Sequence, residues 1–189
     1  MATSGKSRRD FLKKAALTGI GLATVPMFLN TIPAVAAEKE ENTAGYHFVV
    51  VSRKSGTPPD LVALEGNGGV TPSEATGGGA FTHFVPTGSP PFPIKAAGTW
   101  RPKKVNDFHL IGTYGTLAAG VLDMQVNLHR EIPSRAVIPA HMKVVCNLGP
   151  AGLKNDALDE GVYLDVDGLS FDPFAFGVTV FTPGNKHDD

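Results

Sequence analysis

Histidine is the residue type in this sequence with the clearest capacity for chemistry. Five of the six histidines fall in segments that are typical of β-strands, and neutral imidazole is a common metal ligand. Separate strands can bring distant histidines together around copper or zinc. No His-x-His pair occurs, however, and a histidine taken singly is more often a surface or hydrogen-bonded core residue. The predicted metal ligands are His83, His109, His129 and His141, of which the last two lie on successive strands that a hairpin-like connection would pair.

A second group of potential ligands surrounds Gly168. Asp165, Asp167, Ser170 and Asp172 place oxygen atoms at short intervals, loosely as in a calcium loop. The terminal Glu and the flanking helices of the EF-hand are missing, so a solvated hairpin turn is the simpler interpretation. The histidines are compatible with copper or zinc as a cofactor, and the oxygen-bearing residues are compatible with calcium.

Two familiar catalytic and phosphate-binding patterns are missing from the chain. The Gly-x-Ser-x-Gly elbow of serine hydrolases does not occur. The glycine-rich runs 66–69 and 77–79 are not followed by Lys-Ser/Thr, so they indicate loops and no phosphate cradle. Without an assembled acid, base and nucleophile, the sequence favours binding over catalysis.

Large aromatic side chains supply candidates for ligand binding. Most of them must fill the core of a β domain of this size. Phe92 in a Pro-rich loop and Phe174 beside Pro173 are the ones that a loop would present to a hydrophobic ligand or to a partner protein. The predicted ligand-binding residues are Phe92, Trp100, Tyr114 and Phe174.

The alternation of apolar and polar residues predicts the elements that position these side chains. From Leu122 to His129 the alternation is strict, as in a strand with one buried face. Similar runs between Gly and Pro turns bring the total to eight or nine short strands, with no amphipathic helix. In the strand 80–85 the alternation places Phe81 and His83 on one face. The single cysteine, Cys146, is in step with apolar positions and indicates a buried, inert thiol.

This pattern predicts an all-β fold, namely a single-domain antiparallel β-sandwich, with a small closed β-barrel as the alternative. In a barrel enzyme, the polar face of the strictly alternating strand would line the lumen with Asp123, Gln125, Asn127 and His129. The predicted organisation is a signal peptide over 1–37, a flexible leader over 38–44, a β domain over 45–184 and a polar tail over 185–189.

The first residues have the order of a secretory signal. A basic head precedes an apolar middle and a small-residue cleavage site after Ala36 or Ala37. The head Ser7-Arg8-Arg9-Asp10-Phe11-Leu12-Lys13 closely resembles the twin-arginine translocation (Tat) signal, Ser/Thr-Arg-Arg-x-Phe-Leu-Lys. The resemblance implies export of the folded chain by the Tat translocase. The export signal residues are then Arg8, Arg9, Phe11 and Leu12.

The apolar middle of the signal and the overall charge restrict the partners of the chain. The apolar segment falls short of the roughly 20 residues that span a bilayer, so no permanent membrane anchor is expected. Residues 1–37 hold five basic residues and one acidic residue out of 17 Lys and Arg and 18 Asp and Glu, which leaves a mature part with a formal charge of −5. Nucleic acid requires a basic face and is therefore not expected as a partner.

The sequence thus predicts an exported soluble β domain, periplasmic or extracellular, that binds a small ligand or a partner protein. A metal-binding or redox protein loaded with its cofactor before Tat export is the first alternative. A small β-barrel enzyme is the second alternative.

Overall fold

The computed structural model of this chain describes residues 43–54, 60–155, 157–174 and 176–184. The predicted export signal, with Arg8, Arg9, Phe11 and Leu12, lies outside the described residues, as does the polar tail. Within the described ranges, no helix is both long enough and apolar enough to cross a membrane.

Nine β-strands and one short 3-10 turn make up the described chain. The strands are β1 (Ala44–Lys54), β2 (Leu61–Val70), β3 (Gly78–Phe84), β4 (Ile94–Tyr114), β5 (Leu117–Ile132), β6 (Ala136–Cys146), β7 (Gly161–Val166), β8 (Leu169–Phe174) and β9 (Phe176–Pro183). The 3-10 turn (Gly149–Ala151) follows β6. The all-β class predicted from the alternation is confirmed.

The strands form one ring-like antiparallel sheet. Each strand from β1 to β7 pairs with the next strand in the chain, and β8 pairs with the end of β1. β9 continues along the same side of β1, where Val51 pairs with Phe176 and Ala44 pairs with Pro183. β8 and β9 therefore together pair with the length of β1, which completes the ring-like sheet.

The inward side chains of the ring form one hydrophobic core. The alternation predicted for β5 is confirmed, because Leu122, Met124 and Val126 are fully buried. Trp100 is also fully buried and stacks on Phe48 with 5.7 Å between ring centroids. Since every strand contributes one face to the same core, the opposite faces of the strands point outward.

Two strand boundaries differ from the sequence prediction because proline is tolerated where the ladder is interrupted. The sequence around Pro102 predicts two strands, 94–101 and 105–111, but β4 runs through this proline, where its register with β5 shifts. β6 begins at Ala136 and includes Pro139, although residues 132–139 were expected to be a connector. β7 pairs with β6 only from Ala140 onward, so Pro139 lies on a free edge.

The β7–β8 hairpin has the turn that its sequence predicts. Asp167 and Gly168 have φ values of 50° and 75°, as a two-residue turn of the mirror-image type requires. Asp and Gly adopt this conformation more readily than most residues.

Candidate functional site

Inward side chains at one end of the ring enclose a cavity of about 220 Å³, called the end cavity below. Its lining residues lie near the starts of β2, β4, β6 and β8 and near the ends of β3, β5 and β7. These strand ends meet at one end of an antiparallel ring. The apolar wall consists of Val62, Phe81, Ala96, Leu128, Ile138, Leu164, Val166, Leu169 and Phe171.

Three polar side chains converge at the edge of this apolar wall. His83 and Lys95 line the end cavity, and both contact the carboxylate of Asp60, which precedes β2. Lys95 Nζ donates to both oxygens of Asp60, at 3.1 Å to Oδ1 and 3.0 Å to Oδ2. His83 Nε2 lies 3.1 Å from Asp60 Oδ2. The side chains of His83 and Asp60 are only 15% and 10% exposed, so this pair is largely shielded from water, whereas Lys95 is half-exposed.

The electrostatics of the polar cluster favour an ionised Asp60. Burial by itself would raise the pKa of this carboxyl group. The hydrogen bonds and charges of Lys95 and His83 outweigh burial and hold the pKa below its usual value of 3.8. Asp60 is therefore a hydrogen-bond acceptor, and His83 Nε2 carries the proton that it donates.

One further cation and two apolar side chains lie at the same end of the ring. Arg130 lines the end cavity, and its Nε donates to Ser134 O at 2.9 Å while Nη2 lies 3.3 Å from Ser134 Oγ. Ile94 at the start of β4 and Ile132 at the end of β5 are exposed large hydrophobic residues. Asp167 also lines the cavity, so its edge combines apolar surface with both a guanidinium and a carboxylate group. This suits a ligand that has an apolar body and one polar group.

A second polar group lies on the outer face of the ring and is called the outer carboxylate cluster. Asp123 Oδ1 accepts hydrogen bonds from Asn106 Nδ2 at 2.8 Å and His141 Nε2 at 2.7 Å. Lys143 Nζ lies 3.4 Å from Asp123 Oδ2, and Asp165 Oδ2 lies 3.5 Å from His141 Nδ1. Burial by itself would raise the pKa of Asp123. These hydrogen bonds and charges lower it by more, so the pKa lies below its usual value. The cluster is thus a set of satisfied ion pairs that tie together β4, β5, β6 and β7.

We expect the protein to lose stability as the pH falls below about 4. Folding lowers the pKa values of Asp60 and Asp123, so each carboxylate stabilises the fold above its unfolded pKa, near 3.8. That contribution is lost as the pH falls through the lower folded pKa. Denaturant unfolding across this acidic range should be less pH-dependent in Asp123→Asn than in the wild type. Asp107→Asn, at an exposed carboxylate outside both clusters, controls for the loss of a surface charge. Identical profiles for Asp123→Asn and the wild type would contradict this expectation.

The four predicted metal ligands lie in different surroundings. His83 contacts Asp60, His141 belongs to the outer carboxylate cluster, and His109 pairs with Asp107 at 2.9 Å. No group of three or more His, Cys, Asp or Glu side chains in the described part of the chain is arranged to hold a metal ion.

The strand pairing expected for His129 and His141 occurs, but the two side chains do not meet. His141 pairs with Gln125, and His129 pairs with Val137. Gln125 and His129 are four residues apart on β5, which corresponds to roughly 13 Å along a strand. Both histidines lie on the outer face, too far apart to share one ion.

The predicted ligand-binding aromatic residues are also dispersed. Trp100 belongs to the core, and Tyr114 is exposed at the β4–β5 turn. Phe92 stacks on Phe84 with 6.0 Å between ring centroids, and the guanidinium of Arg53 lies 4.5 Å from the ring centroid of Phe174. The aromatic residues that line the end cavity are instead Phe81 and Phe171.

The polar face of β5 lies outside the ring, so the expectation of a polar lumen is wrong. The inward residues of this strand are the apolar ones, which fill the core. The outward face consists of Asp123, Gln125, Asn127 and His129. Burying four polar side chains without partners would cost several kcal/mol, whereas burying their apolar neighbours stabilises the fold.

The oxygen-rich hairpin and the cysteine lie outside the end cavity's polar cluster. Asp165, Asp167 and Ser170 line an open groove on the outer face together with His141. Cys146 is buried as predicted, and its Sγ lies 3.1 Å from Thr179 O. Burial raises the pKa of this thiol, as is typical of an unreactive cysteine.

Sequence reasoning identified His83 but missed Asp60, Lys95 and Arg130. The predicted strand began at Leu61, so Asp60 was treated as part of a turn. Extending the alternation of Val62 and Leu64 back by two residues would have placed Asp60 on the inward face. Nothing in the local pattern of Lys95 indicates that its ammonium group reaches a carboxylate 35 positions away.

Comparisons of the chain with protein-family models, with curated proteins and with solved structures find no match. The geometry of the end cavity is therefore the basis for the function proposed below.

Proposed function

We propose that this protein is an exported β domain that binds a small, largely apolar ligand in the end cavity. The ligand's polar group lies against His83 and Arg130. The observation that carries the proposal is that the shielded pair of His83 and Asp60 lies at an apolar cavity. Apolar cavities with a few convergent polar groups are the usual form of small-molecule sites.

The size of the cavity limits the ligand. A volume of about 220 Å³ corresponds to roughly seven water-sized groups at about 30 Å³ each. This is smaller than the roughly 300–1,000 Å³ of sites for drug-sized molecules. A short alkyl chain or a single ring with one oxygen has the appropriate size.

The outer surface offers larger grooves. One, of about 650 Å³, is lined by polar groups that include His141, but this side chain already bonds to Asp123 and Asp165. A groove of about 460 Å³ crosses β1, β2 and β3 beside Val49, Ala63 and Thr82. Glu65 is the one titratable side chain among the described residues that line it, so few polar groups would orient a ligand there. The end cavity has both the apolar wall and the orienting groups.

The N-terminal sequence supports the export part of this proposal. The Tat-like head predicts that the chain folds before it crosses the membrane, and a preformed ring is compatible with that route. The binding domain would then act in the periplasm or outside the cell.

Filling the end cavity should weaken ligand binding. In Ile138→Trp, the larger side chain occupies space in the cavity, and we expect at least about a tenfold loss in affinity for cyclohexanol. Val137→Trp is the matched control, because Val137 is the adjacent residue and is 60% exposed. Isothermal titration of the full chain measures both affinities, and circular dichroism verifies folding. Equal cyclohexanol affinity in Ile138→Trp and the wild type would overturn the end cavity as the site.

A further inference from the structure

We propose that His83 is a general base that removes a proton from the ligand in the end cavity, and that the ligand is a small ketone or a similar carbon acid. Asp60 acts as the positioning residue for His83. This inference rests on the binding function proposed above and adds a chemical step to it.

The hydrogen bonds of the polar cluster determine which nitrogen of His83 is free to act as the base. Lys95 holds both oxygens of Asp60, so the carboxylate is fixed and ionised. His83 Nε2 donates its proton to Asp60 Oδ2 at 3.1 Å, which leaves the lone pair of the neutral ring on Nδ1. Nδ1 makes no hydrogen bond to any described residue. A free lone pair on a residue that lines the cavity is the requirement for a general base.

The surroundings of the imidazole hold its orientation. The ring of Phe171 contacts that of His83 edge to face, with 5.3 Å between the centroids and an interplanar angle of 80°. Asp60 fixes the opposite side of the ring through Nε2. When Nδ1 takes up a proton, the adjacent carboxylate stabilises the imidazolium, and limited water access strengthens this interaction.

The residues around the end cavity restrict the reaction class. Its described lining includes no Ser, Thr or Cys, so it offers no hydroxyl or thiol nucleophile for His83 to activate. The base must therefore act on the ligand itself. A hydrogen on the carbon next to a carbonyl group is the kind of proton that such a base removes.

The proposed step balances without an oxidant or a reductant. The C–H bond next to the carbonyl breaks, its proton moves to His83 Nδ1, and its electron pair forms the enolate. Arg130 lines the same cavity, and its Nη1 makes no hydrogen bond to a described residue, so it has donors left for the enolate oxygen. The proton on Nδ1, or a deuteron that has replaced it from D₂O, then moves to the same carbon, or to the far carbon of a β,γ-unsaturated ketone, which shifts the double bond.

Hydrogen–deuterium exchange of cyclohexanone tests this step. The full chain is incubated with cyclohexanone in D₂O, and loss of the α-proton signal is followed by NMR. We expect exchange above the buffer rate, with about a 100-fold lower rate in His83→Gln, at the lower end of what general bases contribute. Gln keeps a donor for Asp60 and most of the side-chain volume, so this variant preserves the fold.

Two further variants test whether Asp60 positions His83 and whether loss of any histidine slows the exchange. Asp60→Asn offers an amide donor to Nε2, which moves the proton of the ring to Nδ1, so exchange should slow while cyclohexanone binding changes little. His109→Ala removes a histidine with an equally short carboxylate contact that is exposed and outside the cavity, so exchange should stay at the wild-type rate.

Each result distinguishes this inference from the binding function on which it rests. Cyclohexanone binding is measured in the same samples by saturation-transfer NMR. Binding with exchange at the buffer rate, or with an undiminished rate in His83→Gln, would overturn the general base and leave the binding function standing. If neither cyclohexanone nor cyclohexanol binds, both proposals fail.

Discussion

Met124→Ala is expected to lower the free energy of unfolding by about 2–5 kcal/mol, because it removes a large side chain from the middle of the core. Met124 is fully buried and pairs across the strands with Met142, which is also fully buried. The surrounding ring of strands has little freedom to collapse into the space, so a cavity remains.

Gln125→Ala is the matched control for this substitution. Gln125 is the next residue on β5 and points outward, where truncation should change stability by no more than about 0.5 kcal/mol. Denaturant unfolding of the two variants measures the difference between the faces of the strand. Equal destabilisation by both variants would mean that the inward and outward faces of β5 are assigned incorrectly.

Gly66→Ala should also destabilise the protein, although it adds only a methyl group. A Cβ at this position would overlap Cζ2 of Trp100 and lie 2.9 Å from Cζ of Phe48. Both aromatic rings are fully buried and stacked, so neither can move without disturbing the core. Overpacking of this kind costs about 1–3 kcal/mol.

Gly149→Ala provides the comparison for Gly66→Ala. A Cβ on Gly149 would meet nothing within 4 Å, and its backbone is not in the left-handed region. We expect a change of no more than about 0.5 kcal/mol in the same unfolding measurement. Wild-type stability in Gly66→Ala would show that the aromatic stack can shift to accept a side chain.

The prediction that the glycine-rich runs are loops is wrong, because 66–69 lie in β2 and 78–79 lie in β3. Phe48 pairs with Gly66, Gly66 with Gly79, and Gly79 with Trp100, so one row crosses four strands with a glycine at both central positions. The missing side chain of Gly66 makes room for the two aromatic rings, and that of Gly79 makes room for the backbone of Glu65. Trp100 Nε1 reaches Glu65 O at 2.9 Å. A single segment does not reveal this arrangement, because the rings come from strands far away in the chain.

The site shows the same limit of local patterns. The alternation along β3 correctly placed His83 on the same inward face as Phe81, where it contacts Phe171. Its partners come from the residue before β2 and from the start of β4, and both contacts depend on how the strands pair. The grouping of histidines as metal ligands followed from their strand positions alone, without the register that separates them.

The sequence by itself determined the all-β class, the buried face of β5, the β7–β8 turn and the burial of Cys146. These features depend on alternation and turn chemistry, which act over a few residues. Only the tertiary structure decided that the strands form a single ring-like sheet, that glycines lie beneath an aromatic stack, and that Asp60, His83 and Lys95 meet beside the end cavity. The physical reason is that strand order and register depend on the free energy of contacts between distant segments, which the pattern of one segment does not determine.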